Sequence, residues 1–126
     1  MRRLNNLYEQ FQKIPSIEKY FQIVGYKFHV KRIDEATFHF GSTTIVKKIN
    51  LSLPDVIIDY IQSYLIDKLF IEIKYPKDYP FKCPRFSLLS GVENKGIDVL
   101  NYAYDRDWSP AITFEKDILN LIQHII

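Results

Sequence analysis

Tyr64-Leu65-Ile66-Asp67-Lys68-Leu69-Phe70-Ile71-Glu72-Ile73-Lys74-Tyr75-Pro76 runs directly into Lys77-Asp78-Tyr79-Pro80-Phe81-Lys82-Cys83-Pro84. Leu69, Ile71, Ile73 and Tyr75 alternate with Phe70, Glu72 and Lys74, the period of two that marks a strand with one buried face. Pro76 ends it, because proline cannot donate to a ladder. The Tyr79–Pro84 segment is a proline-bearing loop with aromatic anchors, after which Phe86 and Leu88 resume the alternation as a further strand. A second such segment, Trp108-Ser109-Pro110-Ala111, follows. The residues between, Gly91 to Asp107, show no clear period and read as a long loop, a feature often functional in a compact domain.

Upstream, Leu4, Leu7, Tyr8 and Phe11 carry the i, i+3, i+4, i+7 spacing of an amphipathic helix over Arg2 to Lys13, stopped by Pro15. It serves as a cover for a sheet edge or as a partner-binding helix. Tyr26, Phe28 and Val30 alternate with Lys27, His29 and Lys31. Across the turn Ile33 to Ala36, Phe38 and Phe40 resume that pattern, so the two runs form an antiparallel hairpin. Ile49, Leu51 and Leu53 suggest another strand, and Pro54 and Asp55 could open a short helix, although the same residues also suit a strand. Near the end, Thr113 is an N-cap with Glu115 and Asp117 in the first turn. Phe114, Ile118, Leu121, Ile122 and Ile125 make the apolar stripe of a last helix. The expected fold is α+β: an N-terminal helix, a four-stranded antiparallel meander, a long loop, then a helix, with the helices on one face of the sheet.

The 126 residues suffice for one domain with a real core, and 47% hydrophobic residues with only four glycines argue for packing over disorder. The single Cys83 cannot form an internal disulfide, so a reducing intracellular compartment, cytoplasmic or nuclear, is expected. A net charge of +2, with the basic residues dispersed, gives nucleic-acid binding no support. No apolar run approaches the roughly 18 residues of a membrane span, and Met1-Arg2-Arg3 leads to Asn5 and Asn6 instead of a signal-peptide core.

Candidates for chemistry are few. His29, His39 and His124 lack metal-ligand spacing, and no phosphate loop, serine elbow or zinc pattern is present, so neither a metal nor a cofactor is expected. Glu93, Asp98, Asp105 and Asp107 could supply paired carboxylates, but no spacing singles out a pair. Lys82 and Arg85 beside Cys83 would lower its thiol pKa, whereas its place between Phe81 and Pro84 suits a small buried hydrophobe. The residues describe an interaction domain more readily than an enzyme.

The Tyr64–Pro76 strand, the Asp78-to-Pro84 loop and Trp108-Ser109-Pro110-Ala111 together resemble the ubiquitin-conjugating enzyme family, whose members carry a DYPFKPP loop and a WSPA segment. Cys83 replaces the first of the paired prolines, and Phe38-His39-Phe40 is similar to the family's second strand. The resemblance covers nearly the whole chain. It implies a nucleophilic cysteine eight residues before the tryptophan, and that position is Leu100. Val99 and Asn101 offer no thiol either. Ser90-Gly91-Val92-Glu93-Asn94 also lacks the family's His-Pro-Asn motif. Transthiolation needs a thiolate, so no catalytic residue is expected.

Two further departures are an enlarged insertion at about 42–63 and the absence of two C-terminal helices beyond Ile126. The resemblance implies a ligase platform at Phe81, Pro110 and Ala111, with Lys82 beside them and Arg2 and Arg3 on the first helix. The partners implied are ubiquitin, an active conjugating enzyme or a RING-type ligase. The alternative is a subunit of a larger assembly that uses the fold as a scaffold, docked through the 42–63 insertion.

Overall fold

The computed structural model describes residues 2–44, 68–91 and 93–126. Helix α1 (Arg2–Gln12) buries Leu4 and Phe11 and is followed by α2 (Ile17–Tyr20), a single turn capped by the Ser16 hydroxyl, which accepts from Lys19 N. Strands β1 (Tyr26–Arg32), β2 (Thr37–Thr44), β3 (Lys68–Lys74) and β4 (Arg85–Ser90) pair antiparallel in that order. This is the expected α+β meander. The strand anticipated at Ile49 to Leu53 and the helix anticipated from Pro54 lie outside the described residues.

Register converts the period of two into a core. Phe40 sits opposite Val30 and Ile71, and Phe38 opposite Ile73, which in turn faces Phe86. These inward residues, Val30 partly and the others almost wholly, are removed from solvent, while Lys27, Lys31, Lys74 and Ser87 point outward. Helix α4 (Phe114–Ile125) completes the core: Phe114, Ile118, Leu121 and Ile122 are buried, and the Phe114 ring lies 4.7 Å from Phe38 and 5.1 Å from Phe11. Thr113 is the N-cap, accepting from Lys116 N at 3.2 Å, as its residue type predicts.

One element differs from expectation. The region 91–107 is not a long loop: Lys95–Asp107 forms a 13-residue helix, α3. Ile97, Leu100 and Tyr104 stand at helical spacing and are buried. Val99 and Tyr102 are exposed apolar residues on the other side, and they blur the stripe that a periodicity reading depends on. The local signals were nevertheless present. Asn94 caps the helix, its side-chain oxygen accepting from Gly96 N at 2.9 Å, with Asp98 in the first turn and Arg106 in the last.

Both outer strands end in side-chain partners. Glu18 accepts from Phe28 N of β1 at 2.6 Å. On β4, Asn101 accepts from Phe86 N at 3.0 Å and donates to Phe86 O at 2.8 Å.

Candidate functional site

The two proline-bearing segments are adjacent in space because Trp108 joins them. Its indole N–H donates to Pro80 O at 2.9 Å, and its ring lies 6.2 Å from Tyr79 and 5.4 Å from Tyr104. Tyr79 packs edge-on against Tyr75 at 4.8 Å. The loop is closed from within by Tyr79 N to Pro76 O and Phe81 N to Asp78 O, and the Tyr79–Pro80 peptide is cis. The tyrosines and Trp108 turn inward, which leaves Phe81 on the outside, 79% exposed.

Of the residues expected to form a partner platform, Arg3 and Pro110 are in direct contact, the guanidinium donating to the Pro110 carbonyl. Ala111 is next in the turn, held by its N–H to the Ser109 hydroxyl, and is exposed, as is Arg2 one residue from Arg3 on α1. Lys82 is exposed beside Phe81 and pairs with Asp78 at 3.3 Å, a contact that solvent screens. Phe81 joins this set through the Trp108–Pro80 bond, which ties its loop to the Ser109–Ala111 turn.

Leu100 occupies no groove. It projects from α3 into the core with 1% of its surface exposed. The neighbouring Asn101 is engaged with the Phe86 backbone, and Val99 faces solvent. Asn94, the one asparagine in the Ser90–Asn94 turn, spends its side chain on the cap of α3 and on donating to Ile125 O at 3.2 Å. Its side chain is thus engaged at both ends in helix packing, the oxygen on the α3 cap and the nitrogen on Ile125.

Cys83 corrects an electrostatic expectation. The nearby cations do not activate it, because Arg85 pairs with Asp105 at 2.9 Å and the thiol itself donates to the other oxygen of Asp105 at 3.4 Å. Burial, followed by that hydrogen bond and the Asp105 charge, pushes the thiol up from its ordinary value, outweighing Arg85. Cys83 lines a shallow cavity of about 510 Å³ together with Phe81, Lys82, Arg85, Asp105 and Trp108. Sequence reading missed Asp105 as its partner, since the two stand 22 positions apart with strand β4 between them.

The remaining candidates disperse. His39 lies 4.0 Å from Glu72 on the outer sheet face, His29 packs edge-on to Phe70, and His124 Nδ1 meets Asn120 O. Asp107 pairs with Arg106, and Asp98 sits in the first turn of α3. No helix among the described residues is long and apolar enough to cross a membrane.

A deeper polar cluster lies in the core. Asp117 of α4 is fully buried and receives Tyr75 OH at 2.7 Å and Tyr104 OH at 2.6 Å on its two oxygens. Asn120 in turn donates to Tyr104 OH at 2.9 Å. Burial raises the Asp117 carboxyl to about 7, and the two tyrosine hydroxyls only partly offset it. The same burial, with the Asp117 charge, holds Tyr75 well above its ordinary value and raises Tyr104 as well.

No family model matches the chain. Among curated proteins it is similar to the Arabidopsis thaliana protein described as "Probable ubiquitin-conjugating enzyme E2 31", with 33% identity over 57 residues. That stretch is 41% of this chain and 36% of the plant protein, so the chain spans only about a third of the relative it matches. Over that stretch the chain is related in sequence to a ubiquitin-conjugating enzyme, and its helix, four-strand antiparallel sheet and closing helices are consistent with the fold of that family.

Proposed function

We propose that this chain is a ubiquitin-conjugating-enzyme-like protein without conjugating chemistry, acting as a noncovalent binding or adaptor module in a ubiquitin-type pathway. The observation that carries this reading is the state of Leu100: the position expected to hold a nucleophile is an apolar side chain sealed in the core by a helix. Cys83 supports it from the other side, as a half-buried thiol biased toward its protonated form. The partner surface is Phe81 with Lys82, Pro110 and Ala111, flanked by Arg2 and Arg3. An exposed aromatic on a pinned loop, with Lys82 next to it in the chain, suits a protein partner such as a RING-type ligase, ubiquitin or an active conjugating enzyme.

Two measurements test it. With activating enzyme, ATP and ubiquitin, the purified protein forms no reducible adduct, and a thioester lost in Cys83→Ser would overturn the reading. In titrations against labelled ubiquitin, a conjugating enzyme and RING domains, at least one binds, and Phe81→Ala weakens it about tenfold or more. That variant leaves stability within about 0.5 kcal/mol, since Phe81 is largely solvated. Absence of all binding at high micromolar concentration, with co-purification in a large particle, would replace the adaptor with an assembly subunit.

A further inference from the structure

The Asp117 cluster has no part in the partner surface, yet it links the elements that frame it. Tyr75 directly follows β3 and leads into the loop that carries Phe81, Tyr104 lies on α3, and Asp117 with Asn120 belongs to α4. Among the described residues no lysine, arginine or histidine pairs with the Asp117 carboxyl; beyond burial, the groups that set its ionisation are the two tyrosine hydroxyls. A carboxylate wholly removed from water without a cation is expensive, and two neutral donors compensate only part of the cost.

We propose that Asp117, Tyr75 and Tyr104 form a proton-operated latch that seats α3 and the Tyr79–Pro84 loop on α4, tightening when Asp117 binds a proton and loosening when it releases one.

The surroundings of the cluster supply the means. Tyr79, whose hydroxyl is buried, is raised by burial and by the Asp117 charge, and it acts electrostatically on Tyr75. From α1 the Arg3 guanidinium acts on Tyr79, offsetting part of that rise, and from the loop Cys83 acts on Tyr104. When protonated, the carboxyl becomes a donor as well as an acceptor, and the neutral cluster carries no buried charge. When ionised, it leaves an uncompensated charge where three elements meet. The change falls near neutrality, within reach of ordinary cellular shifts. The latch does not depend on which partner, if any, the platform binds.

Trp108, the single tryptophan of the chain, packs on Tyr79 and Tyr104 and is a built-in reporter. The test is a carbon-13 titration of the aspartate side-chain carboxyls in the intact protein, with Trp108 emission and α3 amide exchange followed over the same range. The expected result is an Asp117 midpoint near 7, with Trp108 and the α3 amides moving at that midpoint. After correction for intrinsic rates, α3 protection falls by about an order of magnitude from pH 6 to 8. In Asp117→Asn the Trp108 and exchange profiles become flat between those values. A midpoint below about 5 overturns the proposal, as does an Asp117 midpoint near 7 that Trp108 does not follow. A Trp108 profile unchanged in Asp117→Asn does the same. If that variant fails to fold, Tyr104→Phe decides: loss of a donor to the ionised form raises the Asp117 midpoint and moves the Trp108 transition with it, and a Trp108 transition that stays put overturns the latch.

Discussion

Leu100 concentrates the functional question in one side chain. With 1% of its surface exposed among Ile97, Tyr104 and the sheet, it is a packing residue. Leu100→Ala should therefore cost about 2–5 kcal/mol in a denaturant titration, the range for emptying a tight core site. Leu100→Cys should fold and gain a thiol that reacts with a disulfide reagent far more slowly than Cys83 does, and only through opening of α3. Rapid native-state modification of the new thiol would show that the position still faces a groove. The identity of Leu100 could be read in the sequence, because Trp108 fixes the count. Its burial could not, because burial depends on a helix that the pattern of Val99 and Tyr102 conceals.

Helix α3 is the element that sequence reasoning missed and that matters most. Its first turn meets the end of α4 so closely that a Cβ at Gly96 would lie 1.8 Å from the His124 carbonyl oxygen. Helix propensity favours alanine over glycine by about 1 kcal/mol, but backbone cannot yield as a flexible side chain does. The overlap should win, and Gly96→Ala is expected to destabilise by about 1–3 kcal/mol in thermal or denaturant unfolding. The strands were legible because Leu69, Ile71 and Ile73, like Phe38 and Phe40, alternate without interruption, and the last helix because Thr113 and its apolar stripe agree. The capping signals of α3 at Asn94 and Asp98 were equally local. They were outweighed by the failure of the apolar pattern to choose one face, and no short-range rule supplies the pairing of Asn101 with Phe86.

For the molecule as a whole, buried and exposed carboxyls pull stability in opposite directions with pH. Asp117, raised from 3.8 to about 7, binds more protons folded than unfolded between those values, so stability falls as pH rises through that window and is level above it. Glu18 and Asp34 act the other way. Burial alone would raise Glu18, but hydrogen bonds from Phe28 N–H and the Ser16 hydroxyl, with Lys27 nearby, hold it below its ordinary range; the Ala36 N–H does the same for Asp34. Their contribution is lost at acid pH. Maximum stability should thus lie near pH 5, and Asp117→Asn should remove the decline from about pH 5 to 7. Melting temperatures across pH 4 to 8 in both proteins check this, and a wild-type profile that rises from pH 5 to 7 would contradict it.

The side chains that finish the two outer strands have a consequence for how copies of the chain meet. A strand with free amides and carbonyls is a template onto which another chain can add, and Glu18 and Asn101 occupy those positions at Phe28 and Phe86 with imitations of a neighbouring backbone. Asn101 is the more complete of the two, since it supplies both an acceptor and a donor. Asn101→Ala should leave the chain folded but prone to intermolecular strand addition, visible as concentration-dependent light scattering and amyloid-dye binding under conditions where the wild type stays monodisperse. Asn101, next to Leu100 on α3, thus closes the outer edge of β4 to a second chain.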